Sequence, residues 1–190
     1  AVSRGDDLPR ALSRIRDKLP DERDRALVTE IATGTIRWLS ALDAVIERNA
    51  HRRSDKIDHQ VLTALRLGVY QLLYLDRVPR AAAVSESVEI VKRMGLGSAA
   101  AFVNAVLRAI ASQRNSPALP QEPQPCDSRK ALLSYLSITC SHPRWLVERW
   151  LSRNGFRRTL EWVRFNNSNP PLTLRANRLR TTVKKLTEEL

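Results

Sequence analysis

Two amphipathic helices joined by a turn between glycines constrain the fold of this chain more than any other feature. They lie within residues 78–108. In the first helix Val84, Val88 and Val91 recur at spacings of four and three, which places them on one helix face. The second helix carries a similar apolar stripe, formed by Phe102, Val103, Val106, Leu107 and Ile110. Because such faces are buried against other helices, the segment predicts an all-α domain.

The residues at the ends of these helices support the same interpretation. Pro79 suits a helix start, since its fixed φ and missing N–H cost nothing in the first turn. Gly95 suits the left-handed position just beyond a helix end, where glycine is the favoured residue. Ser98 can cap the second helix with its hydroxyl.

Similar periodicity predicts further helices upstream. Leu8, Leu12 and Ile15 mark a short helix over residues 8–19, and Pro20 ends it. Asp21 then caps a long helical stretch. The apolar side of that stretch consists of Leu27, Ile31, Trp38, Leu42, Val45 and Ile46.

Two more signals complete the predicted bundle. Gly34 lies on the apolar side of the long stretch, where we expect another helix to approach closely. Asp58 caps a further helix after a polar loop. Its apolar residues are Val61, Leu62, Leu65, Val69, Leu72 and Leu73. These segments predict a bundle of about five or six helices that ends near Gln113.

The chain changes character after this bundle. Residues 114–128 are rich in proline and lack helical periodicity, which predicts a linker. Apolar spacing then predicts a short helix around residues 132–136 and another that opens at Pro143 and runs toward Gly155. A third helical segment covers residues 160–165.

The last residues predict the beginning of a mixed subdomain. Residues 166–171 break the preceding helix, and apolar and polar residues alternate over 172–177, which is typical of a strand. Thr181 or Thr182 can cap a helix after it. Because one strand cannot form a sheet, we expect the chain to stop inside its second subdomain.

Several sequence blocks together resemble a known family. The helix pair reads VSESVEIVKRMG at residues 84–95 and FVNAVLR at 102–108, and the upstream helices contain GTIRW at 34–38 and LRLGVYQLL at 65–73. This layout resembles the helical NusB family. Two later blocks are SHPRWLV, within 141–147, and NNSNPPLTLRAN, within 166–177. They are similar to the region that links a NusB-like domain to the catalytic domain of RsmB/Sun-type ribosomal RNA cytosine-5 methyltransferases.

The resemblance implies a fold and a domain organisation. It implies an all-α NusB-like helical bundle that binds RNA over residues 1–113, followed by the linker of 114–128. Residues 129–190 would be a helical linking region with the first strand and helix of a small α+β linking subdomain, truncated at its end. We also expect the chain to have been trimmed at its start, where the family's first amphipathic helix is missing.

The resemblance also implies a function. The chain would be the RNA-binding N-terminal region of a cytoplasmic, S-adenosylmethionine-dependent 16S rRNA cytosine-C5 methyltransferase. We expect the cofactor to bind in a catalytic domain missing from this chain, so the chain itself would hold none and be inactive. Its partners would be ribosomal RNA and its own C-terminal methyltransferase domain, with no membrane.

Two alternatives remain open at this point. One is a free-standing NusB-type transcription antitermination factor that binds RNA and a ribosomal protein. Residues 141–177 count against it, because free-standing NusB proteins lack that region. The other is a helical protein-interaction domain whose charge is incidental.

The charge of the chain favours a polyanionic partner. Lys and Arg total 32 against 20 Asp and Glu, which gives a net charge of +12. Residues 144–190 hold 11 of the basic residues and 4 of the acidic ones, so the excess is concentrated there. The basic residues that we predict to contact RNA are Arg37, Arg66, Lys92, Arg93, Arg108, Arg144, Arg149, Arg153, Arg157 and Arg158.

Some of these residues have structural interpretations as well. Lys92 and Arg93 would be favourable at a helix C-terminus without any RNA. Arg108, with Asn104, could instead form buried hydrogen bonds to a neighbouring helix. Trp145 and Trp150 could stack on bases, although tryptophans are more often core residues, and we predict a core role for them.

No residue of this chain is predicted to catalyse a reaction or to bind a cofactor or metal. Gly95 and Gly97 resemble a cofactor-binding turn, but no strand precedes them. Cys126 and Cys140 follow Pro and Thr, as the two cysteines of cytosine-5 methyltransferases do, but they stand too close together, and Gln124 takes the place of the family's Asp before the Pro-Cys pair. The histidines show no metal-ligand spacing, and no apolar run is long enough to span a bilayer.

Overall fold

The computed structural model describes residues 7–113, 115–168 and 174–189, and within these ranges it contains helices and no strand. The helices of the first part of the chain are α1 Leu8–Arg16, α2 Glu22–Arg37, α3 Leu39–Ala50, α4 His59–Tyr74, α5 Arg80–Arg93 and α6 Ala100–Ser112. Those of the second part are α7 Arg129–Ser134, α8 Arg144–Asn167 and α9 Val183–Glu188. The all-α architecture predicted from the sequence is confirmed for these residues.

Helix α4 is the centre of the bundle that α1–α6 form. It packs against α2, α3, α5 and α6, and its residues Leu65 and Val69 are completely buried. Its N-terminus is capped as predicted, because Asp58 Oδ1 accepts hydrogen bonds from the amides of Gln60 and Val61. The other large side chains with almost no exposed surface in this core are Leu42, Val45, Ile46, Leu72, Val91, Val103, Leu107 and Ile110.

The predicted long helix after Asp21 is divided into two. Asp21 does cap α2, but α2 ends at Arg37 and α3 starts at Leu39. Trp38 between them has φ −99° and ψ 19° and stacks on Tyr74 of α4 with ring centroids 4.8 Å apart. The break therefore accompanies a long-range ring contact that helical periodicity cannot reveal. The close approach expected at Gly34 is confirmed, since a Cβ there would overlap the ring of Tyr70.

The turn between α5 and α6 agrees with the prediction from the sequence at two positions and differs from it at a third. Pro79 is the residue before the first turn of α5. Gly95 has φ 78°, and its amide donates to the Lys92 carbonyl while the next amide donates to the Val91 carbonyl. This pattern satisfies the last carbonyls of α5. Ser98 does not cap α6, because residues 97–99 form a 3₁₀ turn from which α6 continues directly.

Residues 129–168 form a second packing unit with its own core. Helix α7 continues into a π-helical turn over Tyr135–Thr139 and is followed by α8. Gly155, with φ 71° and ψ 176°, interrupts α8, so the two helical segments predicted here are its two halves. The most deeply buried apolar residues of this unit are Leu133, Leu136, Leu160, Val147 and Val163.

The proline-rich residues 115–128 are held against both units. Leu119 packs on the core of the bundle. The Pro120 carbonyl accepts a hydrogen bond of 2.7 Å from the Thr139 hydroxyl, and Pro123 is buried. This segment therefore lies along the molecule as a strap, with fixed contacts on either side of it.

The two units also meet directly. The π-helical turn contacts α3, and the Ser40 amide, in the first turn of α3, donates a 2.9 Å hydrogen bond to the Ser141 hydroxyl. Ser141 has φ 53°, an uncommon value for a residue with a side chain. These contacts set α8 in a defined position against the bundle.

The predicted strand is not seen in the described residues. Its first two residues, Leu172 and Thr173, lie outside them, and residues 174–177 have no regular secondary structure. The helix predicted after it is present as α9, capped by the Thr182 hydroxyl, which accepts from the Lys185 amide. No second strand is present in the described ranges to pair with residues 172–177, so the strand remains a prediction.

Candidate nucleic-acid interface

Most of the predicted RNA-contacting residues of the bundle are engaged with the protein itself. Arg66 of α4 donates from Nε and Nη2 to the two carboxylate oxygens of Asp43 on α3, at 2.6 and 2.7 Å. Both side chains are only about a fifth exposed, at 18% and 22%. Such a two-bond pair fixes the guanidinium against its neighbouring helix. We therefore assign Arg66 a role in packing α3 on α4 and leave it out of the candidate interface.

Three further bundle residues have partners. Glu89 lies 3.2 Å from Arg93 and 4.0 Å from Lys92 at the exposed C-terminal end of α5. This supports the helix-end interpretation of both residues. Arg37 is half-buried near Tyr70. Burial raises the pKa of Tyr70, its hydrogen bond to Glu30 adds to the rise, and the charge of Arg37 opposes it.

The arginines of α8 differ from those of the bundle. Five of them are exposed, and no carboxylate of the described residues lies within ion-pair distance of any: Arg144, Arg149, Arg153, Arg157 and Arg158. The sixth, Arg164, is 2.5 Å from Glu122 in the proline-rich segment. Helix α8 thus presents a group of guanidinium groups without internal counter-ions. We call these five residues the α8 arginines.

An exposed tryptophan belongs to the same surface. Trp145, Arg149 and Arg153 follow each other at intervals of four, so they lie on one face of the first half of α8. Trp145 is 66% exposed, which makes the predicted core role wrong for this residue. Val147 and Leu151 occupy the opposite face and are buried. An exposed indole beside two guanidinium groups combines a stacking surface with phosphate donors.

The second tryptophan of this region has a mixed role. Trp150 is half-buried and packs against the core of the second unit, which agrees with the prediction. Its ring lies 5.7 Å from that of Trp162 in an edge-to-face arrangement and 6.0 Å from that of His142. Phe165, on the second half of α8, is 71% exposed. The helix therefore carries aromatic surface along both halves.

Cys140 lacks the ionised thiol that a catalytic nucleophile needs. Burial raises the pKa of the Cys140 thiol to about 11, so the thiol stays protonated at neutral pH. Cys126 is exposed in the proline-rich segment. The described residues likewise contain no group of His, Cys, Asp and Glu that could hold a metal ion.

The described residues also lack the turn after a strand that S-adenosylmethionine binding would need. The Gly95–Gly97 turn caps α5 and leads into α6, with no strand before it. A cofactor of this kind binds where a glycine-rich turn follows a strand. No such element exists in the described ranges, so we derive no catalytic step from them.

Some functional candidates were missed at the sequence level. Arg52, in the loop after α3, lies over the ring of Phe102 at 5.9 Å from its centroid. Arg80, at the start of α5, lines the same cleft as Arg108 of α6. The sequence signal for Arg52 was its basic run with Arg53. For Arg80 there was no signal, because its neighbour in the cleft is distant in sequence.

Comparison with known proteins shows to which family this architecture belongs. The model of the NusB family matches residues 4–112. The chain belongs to the NusB family. A second family model, described as the RsmF/B-like methyltransferase ferredoxin-like domain, matches residues 142–190. The α8 arginines therefore lie in the second matched region.

Several relatives match most of the chain. A probable ribosomal RNA small subunit methyltransferase B of Bacillus subtilis is 32% identical over 94% of this chain, which covers 38% of that relative. Ribosomal RNA small subunit methyltransferase B of Klebsiella pneumoniae is 33% identical over 93% of the chain, again covering 38%. A putative methyltransferase of Mycobacterium tuberculosis is 39% identical over 70% of the chain and is covered to 28%. The chain thus spans well under half the length of these relatives.

None of the described helices combines the length and the apolar character that crossing a lipid bilayer requires.

Proposed function

We propose that this chain is the RNA-binding N-terminal region of a cytoplasmic, S-adenosylmethionine-dependent 16S rRNA cytosine-C5 methyltransferase. The cofactor would bind in a catalytic domain outside these residues, and the described part of the chain would position the RNA for it. The similarity to methyltransferases over both matched regions supports this proposal. Ribosomal RNA and the enzyme's own catalytic domain are then its partners.

The observation that carries the proposal is the set of α8 arginines. Other arginines of the protein have acidic neighbours: Arg66 is largely buried against Asp43, and the exposed Arg93 and Arg164 lie within ion-pair distance of Glu89 and Glu122. The α8 arginines have none among the described residues. Their mutual repulsion is relieved when a polyanion binds, and each contact to a phosphate releases condensed counter-ions from the RNA.

A specific observation counts against the second candidate function. A free-standing NusB-type antitermination factor would need the bundle alone, whereas residues 142–190 match a domain of methyltransferases. The bundle residues predicted to contact RNA are also largely paired within the protein. Both facts favour the methyltransferase region over the antitermination factor.

Salt-dependent binding to a single-stranded fragment of small-subunit ribosomal RNA tests the proposal. The affinity should fall with salt with a slope of about −0.7 per phosphate contact. Reversing Arg153, Arg157 and Arg158 to Glu removes three such contacts, so we expect much weaker binding and a slope flatter by about 2.

The matched control reverses Arg10, Arg23 and Arg48 of the bundle to Glu, since these three are exposed and have no ion pair with another described residue. It changes the net charge equally and should leave most of the slope intact. Circular dichroism checks that both triple variants keep their helices. Equal losses in the two variants would show that only net charge matters, and the assignment of α8 as the interface would fail.

A further inference from the structure

A cleft between α5 and α6 lies outside the surface formed by α8. Its volume is about 510 Å³, and its lining residues are Arg80, Ala81, Val84, Ser85, Asn104, Arg108, Ala111 and Ser112. This volume is within the range of about 300–1,000 Å³ that small-ligand sites occupy. Helix α5 supplies one wall and α6 the other, and the tight packing of the two helices fixes their spacing.

The charges of the cleft have one sign. Arg80 and Arg108 line it from opposite helices, and no acidic residue is among its lining residues. Neither guanidinium has a carboxylate within ion-pair distance in the described parts of the chain. Arg80 is held over the cleft by a 3.4 Å hydrogen bond from Nη1 to the Ala111 carbonyl of α6.

Asn104 adds an unused polar group between the two arginines. It is half-buried on α6, one helical turn before Arg108. Neither side chain forms a hydrogen bond within the described residues, so the structural interpretation of this pair, burial against a neighbouring helix, is not what the structure shows. Val84 and Ala111 provide the apolar part of the lining.

From this arrangement we propose that the α5–α6 cleft binds a phosphate group of the RNA backbone. Two guanidinium groups and an amide offer planar donors that match the tetrahedral oxygens of a phosphate, and an anion between them neutralises two like charges at once. A carboxylate would fill less of the cleft and satisfy fewer of these donors. The cleft is open enough for the sugar and base on either side of the phosphate to remain outside it.

This inference rests on the proposed function, since RNA is the source of the phosphate. It adds a contact on the bundle to the one on α8, so the RNA would touch both packing units. A free phosphate or a small phosphorylated molecule would use the same donors. The experiment must therefore separate these sources.

The test uses the full chain and follows the side-chain resonances of Asn104, Arg80 and Arg108 by nuclear magnetic resonance. The first probe is inorganic phosphate, and the second is a single-stranded oligoribonucleotide with a 5′-hydroxyl, which carries internal phosphates only. Both probes should shift these resonances. Arg80→Gln and Arg108→Gln should each weaken the response to both probes about tenfold, the loss expected for one charge-assisted contact.

Arg48→Gln is the matched control, because Arg48 is exposed on α3 and does not line the cleft. It should leave both titrations unchanged.

If the oligonucleotide binds with a salt slope that depends on the α8 arginines but does not shift Asn104 or Arg108, the inference is wrong and the proposed function stands. Shifts with inorganic phosphate alone would make the cleft a small-anion site and overturn its assignment to RNA. If the wild-type chain did not bind the oligonucleotide at all, the proposed function would be wrong instead.

Discussion

The bundle and helix α8 use arginine in opposite ways. In the bundle Arg66 is largely buried and held by both carboxylate oxygens of Asp43. The five α8 arginines project into solvent and have no acidic partner among the described residues. A guanidinium that must hold two helices together needs a fixed partner, whereas one that must meet a phosphate has to remain available. The comparison separates residues that stabilise this protein from residues that would recognise RNA.

The cores of the two regions also differ, in their size and in how much aromatic surface stays exposed beside them. The bundle buries whole helix faces from several sides of α4. The second unit has a smaller core, and large aromatic side chains such as Trp145 and Phe165 stay exposed on α8. The bundle therefore contributes more of the folding free energy, and α8 presents more surface suited to a partner.

The largest effect on stability is expected when the buried ion pair is broken. Asp43→Ala leaves Arg66 largely buried without its carboxylate, and we expect a loss of about 2 kcal/mol in the free energy of unfolding. The matched change in the second unit is Glu148→Ala, whose partner Arg129 is 4.0 Å away and half-exposed. It should cost no more than about 0.5 kcal/mol. Urea unfolding of both variants measures the contrast, and similar losses would remove the distinction between the two regions.

A smaller effect is expected from pH in the core of the second unit. Burial raises the pKa of Cys140 from 9.0 to about 11, so the folded state favours the protonated thiol. An unfolded chain loses that proton near its ordinary pKa, and the stability is therefore full below pH 9 and falls as the pH rises toward 11.

The expected loss is about 1 kcal/mol or more over that interval, measured by urea unfolding at each pH. Tyr74 of the bundle, whose pKa burial raises to about 12, contributes in the same direction at higher pH. Cys140→Ala should therefore remove the part of the decline between pH 9 and 10. A decline that persists unchanged in this variant would show that the thiol is not its source.

The smallest effect on stability is expected for the exposed face of α8. Replacing Arg149 and Arg153 with Ala removes no internal ion pair, so the free energy of unfolding should change by less than about 0.5 kcal/mol. The affinity for single-stranded RNA should nevertheless fall clearly. Trp145→Ala should do the same by removing a stacking surface. If replacing Arg149 and Arg153 destabilised the protein as much as Asp43→Ala does, these arginines would stabilise the fold and would not be free to contact RNA.

Much of the fold could be predicted because helices leave local signals. The caps at Asp21 and Asp58, the helix start at Pro79 and the left-handed Gly95 all follow from the chemistry of single positions. The division of α2 from α3 could not be predicted in this way. It accompanies the stacking of Trp38 on Tyr74, which are far apart in the chain.

The candidate site was less predictable than the fold. The basic character of α8 is visible in the sequence, but whether an arginine is free depends on acids brought near it by folding. Asp43 stands 23 positions before Arg66, so their pairing has no local signal. The burial of Trp145 was predicted wrongly because tryptophan is often a core residue, whereas the helix here turns that position away from Val147 and Leu151.

The strap formed by residues 115–128 has a consequence for the entropy of binding. A flexible proline-rich tether would let the bundle and α8 sample many relative orientations, and a partner touching both would have to restrict them. Here the Thr139 hydroxyl, the Tyr135 hydroxyl and Arg164 all bond to the strap. The ordering is thus completed during folding, and a single RNA strand that reaches both surfaces finds their spacing already set.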